Sequence, residues 1–310
     1  MTNRRRRRRI AGCLMWVLLV QTILAAAGCV ALFLLWRRIG SFGAPAGLIV
    51  GVGLLIRLIA GELLFWISWL QLPLGRSLQL GNGMWFFASD ATLYYHVAVT
   101  TAAGGVPAIV HVAKTEPSVF FIQLLSAFCM LFGTISSVAL LLNGLSYLGT
   151  CLVILLWARY ATQTEADQPL PRGVVFAIAA ITFSPAAILW SLQPLKDTFF
   201  VFLIVLFIGL CVMWQSGWQP ATRVRTLIAS ALMMAAVMFA LAGIRWYVAL
   251  AVLGAATLAF MEISFVVNRH FAAAVIGLAL CIVLLRIILV SAGPYIPESL
   301  HKSLEFERLV

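Results

Sequence analysis

From one end to the other, the chain repeats runs of about 20 apolar residues separated by short breaks that carry arginine, proline or glycine. That length is what a helix rising 1.5 Å per residue needs to cross roughly 30 Å of hydrocarbon. Eight runs qualify, at about 10–36, 46–70, 136–158, 173–190, 198–214, 226–243, 247–266 and 271–291. Strands at this spacing leave backbone groups unpaired in lipid, so the runs are expected to be helical. A ninth run, 117–133, opens at Pro117 and closes at Gly133. It is marginal in length and reads as an interfacial or re-entrant helix. Composition agrees: 63% of residues are hydrophobic and 10% charged, with a mean hydropathy of +1.06, whereas a soluble domain has about a quarter of its residues charged. The expected fold is all-α, a polytopic transmembrane bundle of about eight spans.

The net charge of +11 does not indicate nucleic acid. Its arginines are scattered through short loops or gathered in the run Arg4–Arg9, which is the pattern that membrane topology produces. Loops holding Arg159 with Arg172, Arg223 with Arg225, and Arg269 with His270 are expected on the cytoplasmic side. Segment 71–135, the turn SLQPLKD, the turn at Arg245 and the tail from Pro294 then face outward, and Arg37 and Arg38 fall inside. A spanning run 10–36 puts Arg4–Arg9 outside, against the same rule, so the orientation of the first 40 residues stays open. That start also has the basic, apolar and Ala26-Ala27-Gly28 order of a signal peptide, although more apolar residues follow Cys29 directly. All six cysteines lie inside apolar runs without paired spacing and read as small buried hydrophobes. The short loops and arginine-rich start suit a bacterial inner membrane.

Acids and cations are scarce, so those in outward segments stand out. In 71–135, Asp90 and Tyr94 share one face of any helix, with Tyr95 and His96 alongside. The aromatic residues have an ordinary role as an interfacial belt. Asp90 has no basic neighbour in sequence, and an unpaired carboxylate at low dielectric is costly, which marks it as functional. Glu116 precedes Pro117 at a helix start, as a cap or as a functional group. Pro185 and Pro194 disturb the next outward end and free backbone groups there. Lys196 follows at the rim, and Asp197 opens the next run, where the helix dipole favours an anion. A snorkelling lysine beside a capping aspartate is the plain alternative. Arg245 lies in the next outward turn, and with Lys196 it forms a cation pair suited to phosphate. Within the runs, Arg57 and Glu62 are five residues apart, about 140° around a helix, and need partners on other helices. Glu62, Glu262 and Arg286 read as structural bundle contacts; Arg57 is set apart from them. No glycine-rich phosphate loop, internal repeat or zinc-spaced His/Cys cluster stands out; His96 and His111 are fifteen apart in what reads as an irregular loop.

The order of these motifs resembles the GT-C superfamily of membrane glycosyltransferases, which includes protein O-mannosyltransferases, aminoarabinose transferases and oligosaccharyltransferases. The matching features are Asp90, Tyr94 and Ala98 in D-x-x-x-Y-x-x-x-A; Glu116-Pro117 ahead of a helix ending Leu131-Phe132-Gly133; the segment from Pro185 through Trp190-Ser191 to Lys196-Asp197; and Arg245-Trp246-Tyr247. The resemblance covers about residues 46–291. It implies a seven-span module with an extracytoplasmic loop, 71–135, bearing juxtamembrane helices. An extra segment, 1–45, precedes this module, and a short outward tail, 292–310, follows it.

What the resemblance implies for chemistry is transfer of a sugar from a polyprenyl-phosphate donor to an extracytoplasmic acceptor. Asp90 is then the base, Asp197 the second outward acid, and Lys196 and Arg245 face the donor phosphate. Glu116, Tyr94, Tyr95 and His96 position acceptor or substrate. Family members work with or without a divalent cation such as Mg or Mn, which leaves the cofactor open. The tail after the last run is shorter than in family members, so a partner membrane subunit is an open expectation. Two other classes remain: a non-catalytic subunit or degenerate relative of such an enzyme, and a lipid or small-molecule transporter. The sugar and the acceptor stay open.

Overall fold

The structure is a computed structural model that describes residues 2–112, 118–162, 169–216, 224–262 and 271–292. Its helices are α1 (Thr2–Gly40), α2 (Ala44–Trp69), α3 (Ser89–Ala103), α4 (Gly105–Val110), α5 (Val119–Phe132), α6 (Val138–Thr162), α7 (Arg172–Phe183), α8 (Pro185–Ser191), α9 (Asp197–Ser216), α10 (Val224–Glu262) and α11 (Phe271–Ala292). Between α2 and α3, two short antiparallel strands, β1 (Gln79–Gly81) and β2 (Met84–Trp85), form a hairpin.

Each of the eight apolar runs lies mainly on helix where it is described, with Ser184 a non-helical break inside 173–190; fewer than eight helices pass as full spans by length and composition. Among the described residues, five helices are long and apolar enough to cross a membrane: α1 from Met15 onward, α2, α6, α9 and α10. They become six if α7 and α8, bent by 52° at their junction, count as one broken span. Runs 226–243 and 247–266 are joined in α10, where only Arg245 leaves helical geometry, at φ −149° and ψ 83°. The break at Arg245 therefore separates two helical segments, one for each run, at the position of the turn read from sequence. Run 271–291 lies on the 22-residue α11, about 33 Å long. Run 117–133 appears as the 14-residue α5, about 21 Å long and too short to cross.

The chain divides into two compact units, one of residues 1–111 and 122–199, the other of 112–121 and 200–310. The core of the first joins α1, α2, α6 and α7 through Leu32, Ile39, Phe42, Val50, Leu54, Tyr147, Leu148, Cys151, Leu155 and Ile178. Segment 1–45 therefore supplies an integral helix of this bundle. One end of the unit gathers cations around Phe42: the Arg38 and Arg159 guanidinium carbons lie 5.6 and 4.4 Å from its ring centroid. Arg159 also donates to the Phe42 carbonyl at 3.3 Å. The hairpin lies at the other end of the 26-residue α2, about 39 Å away along the helix. Arg4–Arg9 and Arg37–Arg38 belong to opposite ends of one continuous helix, α1.

In the second unit α10 packs along α11. Phe120 meets Phe239 edge to face, with centroids 6.4 Å apart. An apolar cleft of about 380 Å³ runs between α9 and the later part of α10, lined by Phe207, Cys211, Ala255, Ala259 and Phe260 among others.

Candidate functional site

The hairpin owes its form to Gly81-Asn82-Gly83. Asn82 and Gly83 turn the chain with positive φ of 52° and 81°, the conformation for which an Asn-Gly pair is favoured in two-residue hairpins. A side chain at 83 would meet Phe65 Cδ2 at 2.4 Å, so the turn lies flush on α2. Three side chains fix it there. Ser68 Oγ donates to the Met84 carbonyl at 2.8 Å, Ser136 Oγ to the Asn82 carbonyl at 2.9 Å, and Trp85 Nε1 to the Leu64 carbonyl at 2.9 Å. A single turn, Phe86–Ala88, leads directly into α3, with Asp90 in its first turn.

Asp90 is exposed and Tyr94 is buried, at 3% exposure. The ammonium of Lys196 lies 5.1 Å from the Tyr94 ring centroid. Its neighbour Leu195 packs with Met84, Ala88 and Ala91, and Tyr95 lies against the same cluster. The helix carrying Asp90 and the turn carrying Lys196 are thus in contact, although about 100 residues separate them in sequence. Asp197 is the first residue of α9 and half-buried. Tyr95 donates its hydroxyl to the Thr134 carbonyl, and burial pushes its phenol above the ordinary range. His96 is exposed and helical, on α3, where an irregular loop was expected. His111 caps α4, with its Nδ1 2.8 Å from the Pro107 carbonyl oxygen. Glu116 and Pro117 lie outside the described residues.

Arg245 belongs to the second unit. It is half-buried, with its guanidinium 5.2 Å from the Phe200 ring centroid. The kink in α10 at this residue disturbs the carbonyl before it, and Ser118 Oγ donates to that Ile244 carbonyl at 3.1 Å. Among the described residues, no three His, Cys, Asp or Glu side chains gather as a metal site.

Two further residues shape the first unit and were not singled out from sequence. Asn143 Nδ2 donates to the carbonyls of Ser191 and Gln193 at 3.0 and 2.8 Å. Gln193 Nε2 reaches the Gly83 carbonyl at 3.3 Å. Asn143, on α6, therefore ties the Lys196 turn to the bundle, and Gln193 ties that turn to the hairpin that precedes Asp90. The available signal was a lone amide inside the apolar run 136–158, since buried polar groups require partners.

An exposed carboxylate in the first turn of α3 and an ammonium over the ring one turn further along supply, by their chemistry, a proton acceptor and a cation. No protein family, no curated protein and no solved structure matches this chain.

Proposed function

We propose that this multi-pass helical membrane protein is a glycosyltransferase of the GT-C kind, moving a sugar from a polyprenyl-phosphate donor to an extracytoplasmic acceptor. The observation that supports it is the placement of Lys196 over Tyr94, one helical turn beyond Asp90. Asp90, in the first turn of α3, takes the proton of the acceptor hydroxyl as that oxygen bonds to the anomeric carbon. The bond from the sugar to the phosphate oxygen breaks in the same step, and the charge left on the phosphate is met by Lys196. The second-acid role of Asp197, the phosphate role of Arg245 and the positioning roles of Glu116, Tyr95 and His96 come from the motif resemblance alone. Tyr94, being buried, acts by seating Lys196. The arginine end around Phe42 is assigned to the cytoplasm of a bacterial inner membrane.

A transporter is the second reading, favoured by the 52° break between α7 and α8, since discontinuous helices line transport sites. Purified protein in lipid nanodiscs, offered a panel of polyprenyl-phosphate sugars, separates the readings. Donor consumption that Asp90→Asn abolishes at unchanged protein abundance supports the transferase, and full activity in that variant overturns the assignment. A stoichiometric co-purifying subunit with its own outward acidic motif, and no turnover by this chain alone, identifies a non-catalytic subunit instead.

A further inference from the structure

Arg57 is 2% exposed and lies midway along α2, where a buried charge is costly unless partnered. No carboxylate among the described residues pairs with it. Its partners are carbonyl oxygens and a ring: Nη1 donates to Gly53 and Thr182 at 3.0 Å each, Nη2 to Ile181 at 3.4 Å, and the guanidinium carbon lies 4.0 Å from the Tyr147 ring centroid.

The choice of carbonyls follows from Pro185. In a continuous helix the Ile181 oxygen accepts from the N–H of residue 185, and proline has none. The chain leaves helical geometry at Ser184 (φ −59°, ψ 119°), and α8 restarts with the Ser184 hydroxyl capping the Ala187 N–H. The last carbonyls of α7 are orphaned inside an apolar layer, where each missing partner is expensive. Arg57 supplies the donors, and its charge stands at the negative end of the α7 dipole. Tyr147 braces the junction, its hydroxyl 2.9 Å from Thr182 Oγ1. The far end of α8 is held by Asn143 through Ser191 and Gln193.

The short helix that delivers Lys196 is therefore clamped at both ends, and Arg57 holds the end at which its direction is set. We propose that Arg57 is a positioning residue: with Pro185 it fixes the bend of α8, and so the separation of the Lys196 turn from the Asp90 helix. Only the activity part of the test rests on the transferase reading.

Pro185→Ala gives Ile181 its helical donor back, and Arg57→Met removes the guanidinium. Nitroxide labels at Thr92 on α3 and Trp190 on α8, both exposed, in a cysteine-free background in nanodiscs, report the separation by pulsed dipolar spectroscopy. Straightening a 52° bend ahead of a seven-residue helix moves its far end by roughly 9 Å. The expected result is a shift of that order in Pro185→Ala and a shifted or broadened distribution in Arg57→Met. The kcat for sugar transfer is expected to fall about tenfold or more while the donor KM holds within about twofold. Unchanged distances in Pro185→Ala overturn the inference whatever the activity. Shifted distances in a protein whose wild type transfers no sugar uphold the positioning role and refute the transferase. If Arg57→Met does not fold, Pro185→Ala carries the test alone.

Discussion

The ammonium of Lys196 lies 5.1 Å from the centre of the Tyr94 ring, so an i,i+4 motif on one helix and a turn far along the chain meet through a cation–π contact. Such a contact contributes about 0.5–2 kcal/mol depending on desolvation, enough to orient a flexible lysine. Lys196→Met is expected to lower kcat/KM for a polyprenyl-phosphate sugar by about 100-fold, the usual effect of removing one group that stabilises developing charge. Tyr94→Leu, which keeps apolar bulk and removes the π face, should cost roughly tenfold. Donor turnover in nanodiscs measures both, and equal losses in the two variants would contradict a seating role for Tyr94.

Gly53 makes room for the Arg57 junction. A β-carbon there would lie 2.3 Å from Thr182 Cγ2 and 2.6 Å from the Tyr147 hydroxyl. Gly53→Ala is expected to destabilise the first unit by about 1–3 kcal/mol through overpacking. It should lower the apparent melting temperature in detergent, whereas Gly173→Ala, with nothing within 4 Å of the added carbon, should leave it unchanged.

Asn143 is 2% exposed and holds two carbonyls of the Lys196 turn. Asn143→Leu keeps the volume but leaves those carbonyls short of a donor, at a cost of about 1–3 kcal/mol. Faster hydrogen exchange across 191–197, with α1 and α2 unaffected, is the expected signature by mass spectrometry.

Tyr95 gives a pH dependence. Burial raises its phenol above the ordinary tyrosine value, so the folded state holds its proton where the unfolded state releases it. The neutral phenol's contribution is complete below about pH 10 and is lost as pH rises through the higher folded value. Alkaline unfolding followed by phenolate absorbance should therefore begin at a higher pH in Tyr95→Phe than in wild type.

The helices were legible because each apolar run states its own length and polarity locally. One chain break was legible too: Gly243 to Arg245 reads as a turn, and Arg245 is where α10 leaves helical geometry. His96 looked like part of an irregular loop and is helical. Of the candidate site, Asp90, Lys196 and Asp197 stood out because charge is rare here and helix starts favour acids. The seat of Lys196 did not stand out, since Tyr94 reads equally well as an interfacial aromatic until the ring is placed.

By itself, then, the sequence determined that this chain is a bundle of apolar helices, with most of its few charges outside the apolar runs and Arg57 among the few within them, because hydrocarbon forces the backbone of every run to satisfy itself. Only the tertiary structure decided what those charges meet. Arg57 takes the carbonyls that Pro185 orphans, and Lys196 rests on Tyr94. Such choices depend on which helix face is within a few ångströms of which other, and hydrogen-bond and ring contacts act only over that distance.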